Sequence, residues 1–153
     1  MRIQVLAIGR QKSGPEASLV TDYLSRFDTA GRPLGFGGAV LLEHEDKKGR
    51  GESRLLDAAI PAGAFVIALD ERGKAMDSRH FATFLAQKRD EGIRDMSFLI
   101  GGADGHDAVL RQRSDRLLSF GPMVWPHMLA RVMLSEQLYR AASILSGSPY
   151  HRD

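Results

Sequence analysis

Ala64 to Leu69 reads AFVIAL, an apolar run without a polar break, stopped at one end by Asp70. A run that short and that uniformly apolar is a strand buried on both faces, and such strands belong to parallel sheets covered by helices. Arg2 to Gly9 is a short β-rich run and Asp95 to Ile100 another strand, with Phe36 to Leu42 and a short Leu117 to Phe120 completing the set. Helical patterns stand between them. Ser13-Gly14-Pro15 starts a helix carrying Leu19, Val20, Tyr23, Leu24 and Phe27 at helical spacing. A short helix covers Glu52 to Ile60. Asp77 caps another from Ser78 to about Glu91, with Phe81, Phe84 and Leu85 inside and Gly92 closing it. A polar helix takes His106 to Asp115, and the last runs from Pro126 to about Leu145. His44 to Arg54, with mixed charges and two glycines, reads as an exposed, mobile loop. The alternation predicts an α/β fold: a mostly parallel sheet with helices on both faces. Ligands of such sheets sit beyond the C-terminal ends of the strands. Three of those ends, Leu69-Asp70, Ile100-Gly101-Gly102 and Phe120-Gly121-Pro122, are the places to look for a site.

The length of 153 residues fits one domain, 1–153, with a sizeable core. Absence of cysteine removes disulfides, thiolate metal sites and cysteine nucleophiles. Five histidines are scattered without metal-ligand spacing, so no metal is expected. With 21 basic and 19 acidic side chains the net charge is only +2, and nucleic-acid binding would need local clustering. The apolar runs are too short for a membrane span or a signal peptide, so the expectation is a soluble, cytoplasmic protein.

The loop GGADGH (Gly101 to His106) follows a strand and precedes a helix. Its glycines suit either a tight turn or close approach to a ligand. It is not a dinucleotide or phosphate-loop fingerprint, and no nucleophile elbow is present. LDERGK (Leu69 to Lys74) is equally two-sided: Asp70 and Glu71 suit ribose hydroxyls or a local cap. On the last helix Arg131 shares a face with Ser135, Leu138 and Ala142, where a guanidinium needs an anionic or carbonyl partner. A structural ion pair to a neighbouring loop and a functional contact both meet that need. Glu136 and Arg140 lie broadly opposite, in the favourable i,i+4 order, and need no functional explanation. The rest of that helix is apolar on more than one side, which suits the sheet plus a second subunit. Tyr150, His151 and Arg152 form either a frayed end or an RNA-contacting tail, the latter only if it docks near Pro126, His127 and Arg131.

LDERGK, LIGGADGH, the W-P-H-x-L-x-R helix continuing into SEQLYRA, and the final PYHR closely resemble the RlmH family, small bacterial SPOUT-class methyltransferases. The resemblance runs over essentially the whole chain, most weakly from Gln11 to Arg54. It implies a C-terminal trefoil knot, a homodimer, and S-adenosylmethionine (SAM) as methyl donor. Matched motif by motif, it places cofactor contacts on Leu69, Gly101, Phe120, Gly121, Pro122, Met123, Val124 and Trp125. The catalytic end falls on His127, Arg131, Tyr150, His151 and Arg152. The implied substrate is N3 of a pseudouridine, pseudouridine 1915, in 23S rRNA within the ribosome or its large subunit. Trp125 departs from the family's usual aliphatic residue before Pro-His.

The resemblance thus implies methyl transfer to a ring nitrogen, and the missing cysteine fits, because carbon methylation through a covalent cysteine adduct is closed to this chain. Arg131 is expected to stabilise the developing imidate oxygen, His127 or His151 to relay the proton, Tyr150 to stack on the base and Arg152 to meet phosphate. The contrasting reading is a non-catalytic, ribosome-associated RNA binder on the same fold.

Overall fold

The computed structural model describes residues 1–153. Five strands, β1 (Arg2–Ile8), β2 (Ala39–His44), β3 (Phe65–Lys74), β4 (Asp95–Ile100) and β5 (Arg116–Leu118), form one sheet in the order β2-β1-β4-β3-β5. Every pairing is parallel. The helices are α1 (Pro15–Gly31), α2 (Glu52–Ala59), α3 (Ser78–Asp90), α4 (Ala108–Arg113) and α5 (His127–Ser146), with a 3-10 turn at Arg32–Leu34.

Strand alternation divides the core. Ile3, Val5 and Ala7 of β1 point into a cluster with Val20 and Phe27 of α1, Phe81 and Leu85 of α3, and Leu134 and Leu138 of α5. Leu6 and Ile8 point the other way, onto Leu56 of α2 and Leu110 of α4. Both faces are covered, as the uniformly apolar strands require. The Asp77 cap is present, its side chain accepting from the His80 N–H at 2.8 Å.

Several boundaries differ from the sequence reading. β2 begins at Ala39, not Phe36, and continues to His44. Phe36 is pulled out of line because its N–H donates to the Gly31 carbonyl at 3.1 Å and its ring packs on Phe27. The segment 44–54 is built rather than loose: Asp46 accepts from the N–H groups of Arg50 and Gly51 at 2.9 and 2.8 Å, closing a turn before α2. α4 starts only at Ala108, because Asp107 is its cap and accepts from the Leu110 N–H. β5 runs from Arg116 to Leu118 rather than from Leu117 to Phe120. α5 buries its second side against α1 and α3 of the same chain, so that side needs no second subunit to cover most of it.

The largest departure is β3, which does not stop at Asp70. It bulges and returns, so that Leu118 of β5 pairs with both Leu69 and Lys74. A strand residue has two edges, so β5 is held between the body of β3 and its return. Gly73 makes this possible: a Cβ there would lie 2.5 Å from the Leu117 carbonyl carbon. No helix is long and apolar enough to cross a membrane.

Candidate functional site

The sheet order sets β4, β3 and β5 side by side, so the three strand ends singled out in the sequence are neighbours. They open into one groove of about 390 Å³. Its walls are Leu69 to Arg72 in the bulged part of β3, Gly102 to Gly105 after β4, and the Phe120–Trp125 loop, with Ala130 of α5 at the end. Of the cofactor residues expected from the sequence, Leu69, Phe120, Gly121, Met123, Val124 and Trp125 line it. Gly101 and Pro122 belong to the same loops without lining the cavity.

Local chemistry explains each wall. Gly105 closes the glycine loop by donating its N–H to the Gly102 carbonyl at 3.0 Å. A Cβ on Gly101 would stand 3.0 Å from Gly105, and one on Gly102 2.8 Å from a Glu52 carboxylate oxygen. The tight turn is therefore real, and it also borders the groove. Asp70 caps its own turn, accepting from the Arg72 N–H at 2.9 Å and from its guanidinium at 3.2 Å. Met123 and Val124 stand 70% and 86% exposed, unusual for large apolar side chains on a free surface.

Behind the glycine loop, His106 is buried. Its Nε2 faces the Leu99 carbonyl at 3.2 Å and its Nδ1 has no partner. Burial holds its pKa below the ordinary histidine value.

The catalytic residues expected from the sequence fall into two groups. His127 and Arg131 share the start of α5, and both face Gly9 at the end of β1: a Cβ there would meet Arg131 Nη2 at 3.7 Å and His127 Nε2 at 3.9 Å. Arg131 is drawn inward, 1% exposed, with Nη1 on Glu43 Oε2 at 2.6 Å and Nη2 on the Ile8 and Gly9 carbonyls at 2.6 and 2.8 Å. Of the two partners considered for it, the chain supplies both, an anion and two carbonyls. His127 makes no side-chain hydrogen bond.

Tyr150, His151 and Arg152 do not dock there. The tail lies against the opposite side of α5, about 13 Å further along the axis, since nine residues separate Arg131 from Arg140. The Tyr150 hydroxyl donates to Glu136 at 2.9 Å, and its ring contacts Tyr139 (centroids 4.6 Å apart) and the Arg140 guanidinium at 4.8 Å. Burial, followed by the Glu136 hydrogen bond, pushes its phenol pKa up, which keeps it a hydrogen-bond donor and not a base. His151 accepts from Arg140 at Nδ1 (3.1 Å) and meets Asp153 through Nε2 (3.1 Å), while Arg79 clamps Asp153 with two hydrogen bonds. The Arg79 hydrogen bonds lower the Asp153 pKa to about 2. Arg152 is exposed and free of partners.

Sequence reasoning missed Glu43, whose only signal was that Arg131 needed an anion. It also passed over Glu136 and Arg140 as a self-sufficient pair. They are paired, at 2.5 Å, but they also carry the tail. No group of acidic and histidine side chains is arranged to hold a metal ion.

Residues 1–151 match the family described as "Predicted SPOUT methyltransferase". The chain is 58% identical over 155 residues to the ribosomal RNA large subunit methyltransferase H of Dinoroseobacter shibae, and 58% identical over 155 residues to that of Ruegeria pomeroyi. Each alignment covers 99% of both chains. Among solved structures, a probable methyltransferase from Bordetella pertussis Tohama I superposes with TM-score 0.51 at 16% identity, over 92% of this chain and 93% of that one, a likeness of fold alone. On its sequence over nearly its whole length, and with the parallel sheet and glycine-lined groove just described, the chain belongs to the ribosomal RNA large subunit methyltransferase H family of SPOUT methyltransferases.

Proposed function

We propose that the chain, as one SPOUT domain over 1–153, methylates N3 of a pseudouridine in 23S rRNA, using SAM, as a homodimer acting on cytoplasmic ribosomes or large subunits. The convergence of the three strand ends on one groove carries this reading. The groove fits the cofactor in kind: apolar walls from Leu69, Phe120 and Trp125 suit adenine and the methionine chain, and carboxylates at Asp70, Glu71 and Asp104 suit a cation. Glycines at 101 and 102 bring the backbone close where a side chain would collide. When bound, SAM supplies an electrophilic methyl group on a sulfonium. A threaded C-terminal segment is part of the reading. Its support is the return of β3 around β5, from which the chain passes directly into the Phe120–Trp125 wall.

The protein's own residues have separate tasks. His127, unpartnered near the groove, relays the proton lost from the ring nitrogen. Arg131 acts through position: with both terminal nitrogens engaged, it fixes the β1–α1 loop beside His127 and does not itself meet the base. Tyr150 and His151 shape the tail, and Arg152 is its free cation for phosphate.

One chain keeps the tail and His127 apart, so the reading places them together across a dimer. A second groove of about 620 Å³, walled by Leu19, Tyr23, Phe81, Val132 and Met133, supports a second copy there. It borders both the tail's anchor Glu136 and the cofactor loop at Phe120-Gly121. Calorimetry with SAM tests the cofactor assignment. One site per chain, lost in Gly101→Val, is expected, and absence of binding to the intact chain contradicts it.

A further inference from the structure

Arg72 borders two cavities. One is the groove described above. The other, about 530 Å³, lies between β5 and α3 and is lined by Arg72, Lys74, Lys88 and Arg116 with Phe84 and Gln87. Two of its cations are matched: Lys88 meets Glu91 at 2.7 Å, and Arg72 meets Asp70 at 3.2 Å. Lys74 and Arg116 form no ion pair. The one acidic side chain in the lining, Asp115, accepts from the Val66 N–H at 2.7 Å.

Aromatic rings hold two of the cations, Arg116 and Lys88, without neutralising them. The Arg116 guanidinium stands 4.9 Å from the Phe84 centroid, and Lys88 Nζ stands 4.9 Å from Phe65 and 5.8 Å from Phe84. Against the Asp115 carboxylate and the Asp70 and Glu91 partners, the four cations leave a net positive charge in a concave wall, which attracts an anion. Arg72 lines both this cavity and the groove, so the anion would lie next to the groove.

We infer that this cavity is a phosphate subsite for the RNA strand leading into the groove, with Lys74 and Arg116 as its principal contacts. The inference rests on the reading that the substrate is ribosomal RNA. It accounts for how a chain of net charge +2 grips a polyanion: the excess is local, along the outer edge of the sheet.

Binding to large ribosomal subunits across a salt series tests it. Four proteins are compared: the natural chain, Lys74→Gln/Arg116→Gln, the charge-keeping Lys74→Arg/Arg116→Lys, and Arg32→Gln/Lys48→Gln. The last removes two exposed, unpaired cations on either side of β2, at the opposite edge of the sheet from β5. Neutralising Lys74 and Arg116 should weaken binding about tenfold at moderate salt and make the log K against log salt slope shallower by about 1.5, the share of two phosphate contacts. SAM affinity and the thermal midpoint should hold. The charge-keeping pair should restore the slope, and the remote pair should leave it near that of the natural chain.

A steep slope in the natural chain that survives unchanged in Lys74→Gln/Arg116→Gln overturns the subsite and leaves the RNA reading standing. An equal loss from the remote pair overturns it too, since the effect is then one of total charge. Failure of the natural chain to bind subunits overturns both readings. Titration with inorganic phosphate separates the two sources of phosphate: saturation at sub-millimolar concentration would mark a site for the free anion and overturn the RNA assignment.

Discussion

Arg131 Nη1 lies 2.6 Å from Glu43 Oε2, joining the first helical turns of α5 to the end of the edge strand β2. The same carboxylate oxygen accepts the Gln11 N–H at 2.7 Å, so one acid holds both α5 and the loop after β1. Arg131 is essentially sealed from water, whereas Glu43 keeps about a quarter of its side chain exposed. Removing Glu43 therefore strands a buried cation. Glu43→Ala should lower the unfolding free energy by about 3 kcal/mol in urea titration. The double variant Glu43→Leu/Arg131→Met, which removes the charge as well, should recover most of that loss. Equal instability of the single and double variants would contradict the ion-pair account.

Gly73 is required by space, since its backbone angle is ordinary. Gly73→Ala should cost about 1–3 kcal/mol, the range for overpacking against atoms that cannot rotate away. The clashing atoms belong to the Leu117 backbone, so β5 itself must move. A thermal midpoint equal to that of the natural chain would show that the return of β3 does not grip β5.

His106 gives the fold a pH dependence of definite sign. Burial lowers its pKa in the folded chain, so below the unfolded value near 6.5 the unfolded state binds a proton that the folded state resists. Stability carried by the neutral ring is thus complete above that pH and declines as pH falls beneath it. The Tm of the natural chain should fall faster than that of His106→Leu between pH 7 and pH 5. Parallel curves would contradict the assignment.

Much of this was legible in the sequence, for identifiable reasons. AFVIAL announced a central parallel strand because burial on both faces leaves no polar alternation. Asp77 announced its helix because an N-cap is a local hydrogen bond. Both of those signals lie within a few residues. The return of β3 was not legible: Glu71, Arg72 and Gly73 look like any charged turn, and only the distant Leu117 backbone explains the glycine. Arg131 was recognised as needing a partner, but Glu43 lies 88 residues earlier. The tail was misplaced for the same reason. Its anchors Glu136 and Arg140 already satisfied each other in sequence, and nothing local showed that Glu136 would also accept the Tyr150 hydroxyl.

The separation of His127 from the tail sets up a test by complementation. A chain lacking the last five residues and a chain carrying His127→Ala should each be inactive in rRNA methylation. Mixed after reversible dissociation, they should regain about a quarter of the natural activity, because half the dimers are mixed and each holds one intact site. A site confined to one chain predicts no recovery.

The central claim is methyl transfer to a single ring nitrogen of ribosomal RNA. It is tested most directly by incubating the purified chain with labelled SAM and ribosomes from a strain lacking the activity, then mapping the product by mass spectrometry. The expected result is one methyl group per large subunit, on N3 of a pseudouridine in 23S rRNA. No incorporation, or a methyl group at any other position, would contradict the account.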